Sequence, residues 1–133
     1  MEAVSNFSGS LRGLRILVAE DESLIALDLV QALEAAGCEV IGPVNRVQDV
    51  PQLAKIEHPD GALLDVNLRG QQIFEILPEL NLLGIKVVLT SGYDDATLFP
   101  REYRELPRVT KPVDQRLLEQ VCVANFCNRA RAS

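Results

Sequence analysis

Three short runs of this chain are apolar almost without a break: "RILVA" (15–19), "GALLDV" (61–66) and "KVVLT" (86–90). A strand that alternates apolar and polar residues covers one side of a sheet, whereas an unbroken run is buried on both. Helical patterns separate these runs, so the expectation is a parallel sheet with helices on each face. Two further segments complete the set, "EVIGPV" (39–44) and the weaker "RVT" (108–110). The reading is an α/β fold with a doubly wound five-stranded parallel sheet.

The intervening helices follow from apolar spacing. In "ESLIALDLVQALEAAG" the residues Ile25, Leu29, Ala32, Leu33 and Ala36 fall on one stripe, which stops at Gly37. "DVPQLAKIE" starts a helix with Asp49 as cap and Pro51 in the first turn. "DQRLLEQVCVANFCN" has Asp114 as cap and turns Leu117, Leu118, Val121, Cys122 and Phe126 towards a core. Pro78 and Pro100 each fall inside a helical pattern, so those two helices are expected to be kinked, broken or short.

At 133 residues, with 47% apolar and 24% charged residues, the chain suits one globular domain. Its net charge of −6 argues against nucleic acid as a partner. No apolar run approaches the roughly 18 residues of a membrane span, so no membrane association is expected. Cys38, Cys122 and Cys127 fit no metal spacing and read as reduced thiols in cytosol. Residues 1–12 read as a loose N-terminal leader without a signal-peptide layout, and residues 129–133 as a tail.

Sheets of this kind bind ligands at the carboxyl ends of their strands. That edge carries Glu20 and Asp21 after the first strand and Asp65 near the end of the third. Thr90 and Ser91 close the fourth, and Lys111 with Pro112 closes the fifth. Alone, each has a bland explanation: helix-start electrostatics, a strand-end cap, a turn. Together they form a chemistry. Three gathered carboxylates repel unless a divalent cation neutralises them, and hard oxygen donors in an incomplete cage suit Mg²⁺. A carboxylate facing that ion can attack phosphorus and become an acyl phosphate, with a hydroxyl and an ammonium holding the phosphoryl oxygens. Asp65 is the candidate phosphoacceptor.

Over roughly residues 13–128 the chain resembles a receiver domain of two-component response regulators. The resemblance rests on "VAED" (18–21), "ALLDVNLRG" (62–70), "LTSGY" (89–93) and "VTKP" (109–112). Within that family it is similar to single-domain alphaproteobacterial regulators whose fourth strand ends in a Phe-Ala-Thr-Gly-aromatic motif. The resemblance implies a flavodoxin-like (βα)5 fold with strand order 2-1-3-4-5. It implies that Asp21 ligates Mg²⁺ directly and Glu20 mainly through water, with Asp65 and the main-chain carbonyl of Asn67 completing the protein ligands. Ser91 would bond a phosphoryl oxygen, Lys111 would pair with its charge, and the Lys111–Pro112 bond would be cis.

The implied partners are a sensor histidine kinase or histidine phosphotransfer protein and an unidentified downstream protein, in the cytoplasm. Chemistry beyond self-phosphorylation and self-dephosphorylation is not implied. Two departures bear on output: Arg108 stands where most receivers have an aromatic switch residue, and "NLRG" replaces the commoner Met-Pro segment. Tyr93 is the substitute aromatic, and Tyr93, Arg101, Arg104 and Arg108 form the expected switch and partner surface. A receiver-like scaffold that only binds partners remains an alternative. So does an Asp-nucleophile phosphohydrolase, although that class needs an Asp where Asn67 stands. A dinucleotide-binding domain would need a Gly-x-Gly-x-x-Gly after the first strand, which is missing.

Overall fold

The computed structural model describes residues 9–92, 95 and 99–127. Five parallel strands form the sheet: β1 (Arg15–Ala19), β2 (Glu39–Val44), β3 (Gly61–Asp65), β6 (Lys86–Ser91) and β7 (Arg108–Thr110). A small antiparallel hairpin, β4 (Asn67–Leu68) with β5 (Gln71–Gln72), stands apart from it. The helices are α1 (Ser23–Ala35), α2 (Asp49–Glu57), α3 (Leu77–Leu82) and α4 (Gln115–Phe126). The sheet order β2-β1-β3-β6-β7 is the expected 2-1-3-4-5 once the hairpin is set aside.

Strand alternation divides the core into two layers. Leu17, Ala62, Leu64 and Leu89 face Val50 and Ala54 of α2 and Leu77 and Leu80 of α3. Ile16, Val18, Leu63, Val88 and Val109 face Leu29 and Leu33 of α1 and Leu118, Cys122 and Phe126 of α4. The continuous apolar runs are thus buried on both sides, as their composition requires. Gly61 is where Phe126 lies down on the sheet: a Cβ there would meet ring atoms Cδ1 and Cε1 at 2.5 Å. Pro43 is tolerated because β2 is an edge strand, where a missing N–H breaks no inner ladder.

Several local expectations are corrected. Leu11, placed in the leader, is fully buried, and its N–H donates to the Ala36 carbonyl at 2.9 Å. The segment around it presses on Gly37, whose φ of 103° and close approach to the Arg12 backbone demand glycine. The ordered chain therefore reaches back past residue 13. Residues 1–8 and 128–133 lie outside the described residues. Asp49 is the first residue of α2 rather than its cap, which is Gln48. Leu117 is 45% exposed, because the buried line of α4 runs through Leu118, Cys122 and Phe126 and Leu117 lies one residue off it.

Pro78 sits in the first turn of α3, where its missing N–H would have no helical partner anyway. The helix is short, as expected. Pro100 precedes a single 3-10 turn, Arg101–Tyr103. Among the described residues, no helix is long and apolar enough to cross a membrane.

Candidate functional site

β1 ends at Ala19, and the next residue, Glu20, prolongs its pairing: Glu20 N–H donates to the Val44 carbonyl at 2.9 Å. That holds the Glu20 side chain at the sheet edge, only 3% exposed. Its Oε2 accepts from the Glu22 N–H at 3.1 Å. Asp21 is exposed beside it. Asp65, the last residue of β3, is also 3% exposed. Its Oδ1 accepts from the Asn67 N–H at 3.1 Å, and its Oδ2 accepts from Lys111 Nζ at 2.8 Å. Carboxylate oxygens of Glu20, Asp21 and Asp65 all lie within 4.8 Å of one another. The charge in the apolar run "LLDVNL" thus has its partners.

Lys111 comes from the far side. Its own N–H donates to the Ser91 carbonyl at 2.8 Å, and its bond to Pro112 is cis as expected. The ammonium crosses towards β3 and β1, reaching Asp65 and, at 3.0 Å, Glu20 Oε1. The second contact is a charge contact without hydrogen-bond alignment, and Glu20 Oε1 is left buried with no such bond among the described residues. One ammonium serves two buried carboxylates. Burial pushes both carboxyls above the usual range, Asp65 against the hydrogen bond from Lys111 and Glu20 with added repulsion from Asp65. Burial pulls the Lys111 ammonium down, yet its contacts with Asp65 and Glu20 outweigh that and its affinity for the proton rises.

The "NLRG" segment is a two-residue hairpin. Arg69 and Gly70 have φ of 54° and 83°, the left-handed pair that this kind of turn needs. The Arg69 N–H donates to Asp21 Oδ2 at 2.9 Å, so the turn anchors the exposed carboxylate. Ile73 N–H donates to the Val66 carbonyl at 2.8 Å. Antiparallel alternation then makes Asn67 and Gln72 a non-hydrogen-bonded pair. The Asn67 carbonyl is thereby turned out of the ladder, on the side from which its N–H reaches Asp65.

Ser91 is 3% exposed at the end of β6, one residue beyond Thr90, which pairs with Asp65 in register. Thr90 is fully buried, and its Oγ1 has no hydrogen-bond partner among the described residues. In the sequence this hydroxyl is overshadowed by that of Ser91, which aligns with the family's switch position. Only the strand register and the missing partner single it out.

The expected switch surface is partly assembled. Arg108 lies with Cζ 4.5 Å from the centre of the Phe99 ring, and Arg104 Nε donates to the Phe99 carbonyl at 3.5 Å. Phe99 is buried against Phe74, which stacks on Tyr103. All three arginines are exposed, and two of them, Arg104 and Arg108, are engaged with one aromatic cluster. Tyr93 lies outside the described residues. Phe99 was not foreseen as the partner of Arg108.

No family model matches the chain. Over 79 residues it is 39% identical to the transcriptional regulatory protein PdtaR of Mycobacterium tuberculosis, a match that covers 58% of this chain and 38% of that protein. The chain therefore spans well under half the length of that relative. The solution structure of SdrG from Sphingomonas melonis Fr1 is 29% identical with a TM-score of 0.74, covering 84% of this chain and 94% of that one. The signal receiver domain of a modulated diguanylate cyclase from Desulfovibrio desulfuricans G20 has a TM-score of 0.79 at 24% identity, covering 90% and 98%, and so shares the fold.

Proposed function

We propose that the chain is a receiver domain of the response-regulator type, which takes a phosphoryl group onto Asp65 from a phosphohistidine and signals through protein contact or onward transfer. The observation that carries this is the Asp65 carboxylate itself. It is buried at the carboxyl edge, gripped on one oxygen by Lys111 and on the other by the Asn67 N–H, with two more carboxylates within 4.8 Å. A structural salt bridge needs one acid for one base. Three acids around one ammonium leave the site short of positive charge.

The donor set fits Mg²⁺. It is all oxygen, it includes a buried Glu20 oxygen without an aligned hydrogen bond, and the Asn67 carbonyl is free of its ladder. Asp21 and Asp65 would hold the ion directly with that carbonyl, and Glu20 chiefly through water. Bound there, the ion supplies charge neutralisation for the acids and for the incoming phosphoryl oxygens. Asp65 attacks phosphorus as the P–N bond to the donor imidazole breaks, giving an acyl phosphate. Lys111 then pairs with phosphoryl charge that has replaced the carboxylate charge, and Ser91 donates a hydrogen bond to a phosphoryl oxygen.

The donor is a sensor histidine kinase or a histidine phosphotransfer protein in the cytoplasm, and the target is a further protein reached through residues 93–106. Arg104 and Arg108 both hold Phe99, and Arg108 pairs in register with Leu89, two residues before the end of β6. That supports Phe99 and the residues after it as the part of this surface that responds when Ser91 is drawn towards the phosphoryl group. The "LTSGY" segment supports a narrower placing with the Phe-Ala-Thr-Gly-aromatic regulators. Incubation with acetyl phosphate and Mg²⁺ separates the readings. A receiver gains one labile phosphoryl adduct, a binding scaffold gains none, and a phosphohydrolase turns the reagent over without accumulating an adduct.

A further inference from the structure

We infer that Thr90 is a positioning residue for Lys111: its hydroxyl receives a hydrogen bond from the ammonium when Asp65 is phosphorylated. This rests on the phosphoacceptor reading of Asp65. In the resting protein Thr90 is fully buried and its Oγ1 is without a hydrogen-bond partner among the described residues. A buried hydroxyl with no partner lowers stability, and Val would supply the same branched packing without that cost. The oxygen therefore needs a reason outside the resting state.

Strand register supplies one. Thr90 pairs with Asp65 on β3 and with Val109 on β7. Paired residues on neighbouring parallel strands share a face. Leu63, Val88 and Val109, each two residues before Asp65, Thr90 and Lys111, all lie in the layer against α1 and α4. Alternation therefore puts Asp65, Thr90 and Lys111 on that same face. The sheet order is β3-β6-β7, so the Lys111 side chain crosses β6 to reach Asp65. Thr90 is the β6 residue beneath that crossing.

The ammonium has three donors, of which one makes an aligned bond to Asp65 Oδ2. Phosphorylation converts that carboxylate into an acyl phosphate and moves its charge outwards. Lys111 must follow the charge while its stem stays over β6. An acceptor at Thr90 holds one donor of the ammonium over β6 while the others turn to the phosphoryl oxygens.

Thr90→Val and Thr90→Ser test this. In chelator, the Val variant is expected to melt above the wild type, because an unpaired oxygen has gone. In Mg²⁺, its affinity for beryllofluoride, which stands in for the phosphoryl group, is expected to fall about tenfold, the loss of one charge-assisted hydrogen bond. The Ser variant, which keeps the hydroxyl, is expected to hold most of that affinity. A Val variant that melts lower would mean the hydroxyl is already satisfied at rest, and one with wild-type beryllofluoride affinity would mean it is not used; either overturns the inference. If the wild-type chain binds no beryllofluoride, the phosphoacceptor reading of Asp65 falls and takes this one with it.

Discussion

Replacing Lys111 with Met removes the one cation that two buried carboxylates share. The ammonium lies 2.8 Å from Asp65 Oδ2 and 3.0 Å from Glu20 Oε1. At an effective dielectric of about 20, each contact carries roughly 5–6 kcal/mol of gross attraction. Desolvation cancels most of that. Removing one partner of a fully buried pair costs about 3–5 kcal/mol. Lys111 is 20% exposed, so the expected net loss is nearer 2–3 kcal/mol, or about 8–12 °C in melting temperature.

The loss should depend on pH in a defined direction. Both carboxyls already stand above their ordinary range, and loss of Lys111 raises them further. A carboxyl raised in the folded state binds more protons there than in the unfolded chain, so stability falls as pH rises through that window. The Met variant should therefore be close to the wild type near pH 4–5 and weakest at neutral pH. Mg²⁺ should rescue it more than it rescues the wild type, because the ion takes over the missing charge. Denaturant titrations at both pH values, in chelator and in Mg²⁺, read this out. A penalty of equal size at both pH values, or no penalty at all, would show that Lys111 does not hold the two carboxylates in their charged form.

Two predictions concern packing. Burial pushes the thiols of Cys38 and Cys122 up to about 12, whereas Cys127 is half-buried; iodoacetamide at pH 8 should label Cys127 alone until denaturant is added, and native labelling of Cys38 or Cys122 would contradict this. Gly61→Ala puts a methyl 2.5 Å from the Phe126 ring and should cost about 1–3 kcal/mol, partly recovered by adding Phe126→Leu; an unchanged denaturation midpoint for the single variant would show that the ring yields freely.

The sheet and its acidic edge were legible because each rests on a strong local pattern. Unbroken apolar runs have few uses besides a strand covered on both faces, and one carboxylate inside such a run asks for partners that Lys111 and the Asn67 N–H supply. What escaped depends on positions that only the folded chain defines. Arg69 adopts a left-handed conformation that its side chain does not announce, so the hairpin that anchors Asp21 was read only as a departure in sequence. Leu11 is a single apolar residue among polar ones, and its burial depends on the end of α1 arriving beside it. Leu117 fits the edge of the apolar stripe of α4, but the buried line runs one residue further on, through Leu118, Cys122 and Phe126. Thr90 looked like an ordinary strand residue until register placed it under Lys111 without a hydrogen-bond partner.

Phosphorylation of Asp65 and its need for Mg²⁺ can be read from one modified peptide. The most direct test is to treat the chain with acetyl phosphate, reduce the product with borohydride and map the modified residue by peptide mass spectrometry. One reduced residue is expected, at position 65, in Mg²⁺ only, and none in Asp65→Asn although that variant folds. Modification at another residue, or at Asp65 in excess chelator, would contradict this.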